Sequence, residues 1–231
     1  MQKAIKTVKS KQQLASLLTG LGQHDRELLQ QWIDLDPIYT GTVNKADYET
    51  SIRKHLEMSA DLAPPGGLWC EFGVREGRSL RWLIEHSPDQ VIHAFDSWQG
   101  LPEDWNHGTG KVADMTCDPP KVPEHIHLHK GWFANTLPVW KRTNTQSISF
   151  LHMDADIYSS TITVLTQLND QILPGTVIVF DELCNFRLSG KMSQWQQQEF
   201  RALTEWLVKY NRQIQPVNRN WCYQATCVVV K

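Results

Sequence analysis

Apolar positions along this chain follow two different periods. Over the first 60 residues they recur at helical spacing, as in L-A-S-L-L (14–18) and E-L-L-Q-Q-W-I (27–33), and residues 46–58 continue in that style. Nothing before residue 68 reads as a strand. From there, short apolar runs alternate with amphipathic stretches. The runs at 68–72, 91–95, 126–129, 147–153, 176–180 and 224–230 predict strands, the last paired with residues just upstream. Residues 79–86, 160–171 and 193–210 predict helices between them. Strands alternating with helices imply an α/β fold, a doubly wound and mostly parallel Rossmann-like sheet with helices on both faces. The break A-P-P-G-G at 63–67 marks entry into it. Residues 1–62 are read as an N-terminal helical cap over that sheet, and residues 63–231 as the main domain.

Composition narrows the partners. The chain has 231 residues, 41% hydrophobic and 21% charged, with a formal net charge of −2. A balance so near neutral gives no reason to expect nucleic acid or an anionic membrane surface as a partner. No apolar run approaches the roughly 20 residues that span a bilayer. The basic start, M-Q-K-A-I-K-T-V-K-S-K, lacks the apolar stretch of a secretion signal. Five cysteines without a C-x-x-C pair do not form a disulfide framework. These features predict a cytoplasmic protein. Of the ten tryptophans, Trp82 and Trp206 sit at core spacing, whereas Trp98, Trp105 and Trp132 follow strand ends, where an aromatic ring can wall a pocket. A homo-oligomer is left open, since the tryptophan of the cap reads equally well as core or as interface.

In open α/β sheets, ligands bind at the carboxyl ends of the strands. The first strand ends in E-F-G-V-R-E-G-R-S, which departs from the dinucleotide pattern G-x-G-x-x-G. Gly73 and Gly77 let the backbone approach a ligand, and Asp96 ends the second strand, where a carboxylate accepts ribose hydroxyls. Glu71 would repel a pyrophosphate but suits an ammonium or sulfonium. That preference points to S-adenosylmethionine instead of NAD. A purely structural reading instead pairs Glu71 with an arginine. The fourth strand ends in H-M-D-A-D-I-Y-S-S-T and the fifth in V-I-V-F-D-E. Asp154, Asp181 and Glu182 then form a set of hard oxygen ligands suited to Mg²⁺ or Ca²⁺. Such an ion lowers the pKa of a bound hydroxyl, and a carboxylate, Asp154 first, takes its proton. Asp156 reads equally as a helix cap. His125, His127 and His129 would share one face of an edge strand without an acid ligand nearby. His152 reads as a core residue or as support for the site, and His107 as a base in the long 98–122 loop.

Five stretches together resemble one family: E-F-G-V-x-x-G-x-S, F-D-S-W-Q-G-L-P-E-D-W, K-G-W-F-A-N-T-L-P, H-M-D-A-D-I-Y-S-S-T and P-G-T-V-I-V-F-D-E. They are similar to the macrocin O-methyltransferase (TylF-like) family, over roughly residues 65–185. The resemblance implies a class I methyltransferase fold that transfers methyl from S-adenosylmethionine to a hydroxyl of a small sugar or natural product. It implies Glu71, Gly73, Gly77, Ser79 and Asp96 around the donor, with Ser97, Gly131 and Trp132 near its adenosine half. It also implies Mg²⁺ on Asp154, Asp181 and Glu182, the last standing where Asp is common. Three other readings compete: a metal-independent methyltransferase, a nicotinamide-dependent oxidoreductase and a non-catalytic binding module.

Overall fold

The structure, a computed structural model, describes residues 9–37, 45–105, 115–188, 190–220 and 225–231. His107, read above as a base, lies outside the described residues. The chain opens with α1 (Lys11–Leu14), α2 (Gln23–Asp34) and α3 (Lys45–Ala60). The alternating part follows: β1 (Leu68–Phe72), α4 (Arg78–His86), β2 (Ile92–Asp96), β3 (Ile126–Lys130), α5 (Phe133–Trp140), β4 (Ile148–Met153), α6 (Tyr158–Gln167) and β5 (Ile172–Phe180). Helix α7 (Glu199–Lys209) and strands β6 (Ile214–Arg219) and β7 (Thr226–Val230) complete it.

The seven strands form one sheet in the order β3-β2-β1-β4-β5-β7-β6. The first five run parallel; β7 pairs antiparallel with β5 and with β6. The order reverses between β1 and β4, and a doubly wound sheet opens its ligand crevice at such a reversal.

Strand alternation sorts side chains to two cores. On one face Cys70, Phe72, Leu151, Met153 and Phe180 pack against Leu137 and Trp140 of α5, Val164 and Leu165 of α6, and Phe200 and Leu203 of α7. On the other, Trp69, Phe150, Val177 and Val179 pack against Leu56 and Ala60 of α3 and Leu80 and Leu83 of α4. The N-terminal helices therefore do not form one layer. Leu14, Leu29 and Trp32 of α1 and α2 join the α5–α7 core, while α3 joins the opposite one. Fully burying a side chain such as Leu29 is worth about 1.5–3 kcal/mol, so this segment is part of the fold's cohesion.

Three elements differ from their expected bounds for local reasons. Helix α5 was not foreseen because Pro138 lies inside it; burial of Leu137 and Trp140 overrides that penalty. Strand β5 begins at Ile172, pairs with Ile148, breaks register and resumes at Val177 opposite Phe150. Gly175, at φ 98°, makes that break possible. Helix α7 begins at Glu199, after a short 3₁₀ turn at Trp195–Gln197.

Candidate active site

A cavity of about 500 Å³ opens at the carboxyl ends of β1, β2 and β4. That volume is within the usual range for small-molecule sites. Its wall includes Gly73, Ser79, Asp96, Ser97, Trp132, Asp154 and Glu182 from the sequence expectations. It also includes Arg75, Arg78, Trp105, Phe133 and Asp156. Glu71, Gly77, Gly131 and Asp181 are not among the lining residues.

The two glycines of the first turn are occupied by protein. A Cβ on Gly73 would stand 1.8 Å from the carbonyl oxygen of Asp154, and its φ is 87°. Gly73 N–H donates to the Phe95 carbonyl at 3.0 Å, and Asp154 N–H to the Phe72 carbonyl at 2.8 Å. Gly73 thus lets the backbone of the β4 acid close against the end of β1. Gly77, at φ 77°, is the N-cap of α4, and a Cβ there would meet Pro120 at 2.9 Å. Gly131, at φ 140°, donates its N–H to the Asp96 carbonyl at 2.9 Å and turns the chain so that Trp132 enters the wall.

Asp96 is committed to the backbone. Its Oδ2 accepts from the N–H groups of Val74 and Arg75, each at 2.8 Å, and its Oδ1 from Trp98 N–H at 2.7 Å. A carboxylate offers about four acceptor sites, so one remains for a ligand hydroxyl. Trp98 completes this brace. Its indole N–H donates to the Arg75 carbonyl at 2.9 Å, and both residues sit in the left-handed region, at φ 52° and 53°. Trp98 is therefore a strut behind the cavity wall, whereas Trp105 and Trp132 line it. Ser97 closes its own turn, accepting from Gln99 N–H at 3.0 Å and donating to the Gly100 carbonyl at 3.2 Å. Ser79, on the first turn of α4, is nearly buried and faces the cavity.

Glu71 is fully buried, and its partner is a histidine in place of the arginine considered above. His152 Nδ1 donates to Glu71 Oε1 at 2.9 Å, and His152 Nε2 faces Asp181 Oδ1 at 3.5 Å. Burial opposes charge on His152, but the hydrogen bonds to Asp181 and Glu71 outweigh it and hold its pKa well above the ordinary value. Asp181 therefore turns inward, and the expected trio of metal ligands is not assembled. Only Asp154 and Glu182 of that trio face the cavity. Among the described residues no group of three or more His, Cys, Asp or Glu side chains is arranged to hold a metal ion.

Carboxylates still dominate this end of the sheet. Burial, then the charges of Asp181 and Asp156, raises the pKa of Asp154 well above the carboxylate range. Burial, then Asp181, raises Asp156 to about 7. Burial also holds Glu182 and Glu199 far above their usual values. Glu199 Oε2 accepts from Glu182 N–H at 3.1 Å, while Glu199 Oε1 and Glu182 Oε2 have no hydrogen-bond partner among the described residues. Asp156 does not cap α6: the N-cap is Ile157, with no side-chain cap bond. Its backbone sits at φ 62°, a strained conformation of the kind that clusters at functional sites. Sequence reasoning weighed Asp156 as a cap; the sign of another role was its place beside Asp154 at a strand end.

The "methyltransferase domain" family profile matches residues 70–183, just under half of the chain. Demethyldecarbamoylnovobiocin O-methyltransferase of Streptomyces niveus is 27% identical over 156 residues, 57% of this chain and 58% of that enzyme. Mycinamicin III 3''-O-methyltransferase of Micromonospora griseorubida is 24% identical over 117 residues, 42% of this chain and 45% of that enzyme. The chain thus spans about half the length of these curated relatives. Among solved structures, the calicheamicin methyltransferase CalS11 superposes with a TM-score of 0.60 at 18% identity, covering 95% of this chain and 91% of CalS11. Its apo form, described as a TDP-rhamnose 3'-O-methyltransferase, gives 0.54 at 18% identity, covering 95% and 92%. The strand order and the superposition give the class I, Rossmann-like methyltransferase fold, and residues 70–183 are similar to the methyltransferase domain family.

Proposed function

We propose that this protein is an O-methyltransferase that methylates a hydroxyl of a small sugar or natural product. The observation that carries the reading is the pair Asp154 and Asp156 in the wall of the cavity, with Asp156 on strained backbone and titrating at about 7. A general base works best when its pKa lies near the ambient pH. The donor, when bound, supplies an electrophilic methyl on a cationic sulfur. Ser79, Asp96, Ser97 and Trp132 would hold it, together with the uncapped N–H groups that open α4 behind Gly77. Asp154 and Asp156 would orient the acceptor hydroxyl and take its proton; alignment of hydroxyl and methyl does most of the remaining work. Leu101, Pro102, Trp105 and Met115 give the outer wall an apolar character that suits the hydrocarbon face of a sugar or an aromatic ring.

A divalent cation is the finer half of the proposal, and its support is narrower. Glu182 keeps a buried oxygen without a partner among the described residues, and both Glu182 and Asp154 line the cavity. Asp181 faces His152, so of the three carboxylates expected to hold a metal only Asp154 and Glu182 line the cavity, with Asp156 beside them. The geometry favours the reading in which a carboxylate alone takes the proton. We also place the protein in the cytoplasm, in keeping with the absence, among the described residues, of any helix long and apolar enough to cross a membrane.

Asp154→Asn tests the assignment with demethyldecarbamoylnovobiocin, mycinamicin III and TDP-rhamnose as an acceptor panel. Turnover should fall by about 10³-fold, while the affinity for S-adenosylhomocysteine stays within a few-fold. Full activity would remove Asp154 from the mechanism, and no methylation of any hydroxyl in a wider panel would leave a binding module. Activity that survives a chelator fits the metal-free reading; loss restored by Mg²⁺ would bring the cation back.

A further inference from the structure

Glu71, His152 and Asp181 come from three neighbouring strand ends. Alternation along β1, β4 and β5 places them in the same rows as Trp69, Phe150 and Val179, the core beneath α3 and α4. Register sets Glu71 beside His152, and His152 beside Val179, two residues before Asp181. His152 is 1% exposed and Glu71 is fully buried. Each nitrogen of the imidazole faces a carboxylate oxygen, at 2.9 and 3.5 Å. The ring is thus held from its two ends, by one carboxylate from each neighbouring strand.

Backbone bonds interleave with this side-chain bridge. Asp154 N–H donates to Phe72, the residue after Glu71, at 2.8 Å. Asp181 N–H donates to Met153, the residue after His152, at 2.9 Å. The end of β4 can neither roll nor slide against β1 and β5 without breaking the bridge. The same strand end carries Asp154 and Asp156 into the cavity, and the end of β5 carries Glu182.

We infer that His152 is a positioning residue for methyl transfer, holding the ends of β4 and β5 so that Asp154, Asp156 and Glu182 face the acceptor while Asp181 stays turned inward. This inference rests on the methyltransferase reading above. It is tested with His152→Gln, whose amide reaches one carboxylate at a time, and with the pair Glu71→Gln/His152→Gln, which removes one buried carboxylate together with the imidazole and leaves Asp181 as the one acid of the bridge. Misplacing reacting groups by about 1 Å costs roughly 100-fold, so kcat should fall about 30- to 100-fold in both variants. Acceptor KM and the Kd for S-adenosylhomocysteine should stay within about threefold. A folded variant that keeps kcat within about threefold overturns the inference, and so does a loss shared equally by kcat, KM and Kd. A wild-type protein that neither binds S-adenosylhomocysteine nor methylates the panel would sink the function instead, leaving the bridge to a third measurement. That measurement needs no variant: selective ¹⁵N-histidine NMR of the wild type should show two slowly exchanging ring N–H groups for His152. A single ring N–H, as in a neutral tautomer, overturns the bridge even if every variant fails to fold.

Discussion

At the β2–β3 edge of the sheet, His93, His127 and His129 stack on one another, with His93 5.1 Å from His127 and 5.3 Å from His129 between ring centroids. At the β4–β5 end, Asp154, Asp156 and Glu182 gather around a cavity. Both gather titratable side chains, the imidazoles by strand alternation and the carboxylates on the turns just past β4 and β5, yet they satisfy themselves differently. The imidazoles use each other: His93 Nδ1 and His129 Nε2 are 3.0 Å apart, Trp140 Nε1–H donates to His93 Nδ1 at 3.1 Å, and Phe95 stacks on His129 at 4.5 Å. The carboxylates leave oxygens of Glu182 and Glu199 without partners among the described residues. A polar cluster that closes on itself is packing; one that stays open onto a cavity is a site.

The largest effect should come from Gly73→Ala. The new Cβ has no room beside the Asp154 carbonyl and sits at a φ that L-residues avoid. We expect a loss of about 3 kcal/mol or more of stability in urea, with turnover abolished even where the protein still folds. The loss would locate the fragility at the acid end; a fully active, stable variant would mean that Gly73 does not set the position of Asp154.

Glu199→Gln should have the opposite sign. Glu199 is buried, with its pKa well above that of an unfolded chain. A carboxyl raised on folding costs nothing below its unfolded pKa and destabilises increasingly as pH rises above it. The cost grows by about 1.4 kcal/mol per pH unit until the folded group ionises. Gln keeps an oxygen for Glu182 N–H and cannot ionise. The variant should match the wild type near pH 4.5 and exceed it by roughly 1–3 kcal/mol at pH 7 in denaturant titrations. Equal stability at both values would show that the folded protein does not feel the carboxylate charge.

How much of this was legible in the sequence depends on the kind of feature. The strands of the alternating region could be read because each is a short apolar run between turn signals, and β1 falls on residues 68–72 as expected. Asp154 and Trp132 could be placed near the cavity because ligands collect at strand ends, whereas Ser79, on α4, came only from the family resemblance. The direction of a side chain was not legible. Glu71 and Asp181 are at the expected strand ends, but alternation turns them to the α3 face, where His152 is their partner. The same alternation is written in the sequence, since Trp69, Phe150 and Val179 share their rows; reading it to the last residue of each strand would have found the bridge. The roles of Gly73 and Gly77 were hidden for another reason. Their neighbours, Asp154 and Pro120, are remote in sequence, and only the fold reveals them.

The smallest effect belongs to the imidazole edge, and it separates the two clusters by the sign of their pH dependence. Burial, followed by the neighbouring rings, lowers His93 and His129 to about 4, against 6.5 for an unperturbed histidine. Between those values the unfolded chain binds protons that the folded protein refuses, so stability falls as pH drops from 6.5 toward 4. His55, buried on α3 and also at about 4, adds to the same loss. The carboxylates of the acid end act in the other direction over this window, since the folded protein holds their protons more tightly. In His129→Gln one of the three acid-labile rings is gone, and the partial exposure of His129 limits its share to about 1 kcal/mol. Denaturant midpoints at pH 7 and pH 5 should therefore draw closer together in the variant, with turnover unchanged because His129 does not touch the cavity. If the gap between the two midpoints stays as wide as in the wild type, the edge does not carry the acid sensitivity. If turnover falls as well, the β2–β3 edge belongs to the site after all.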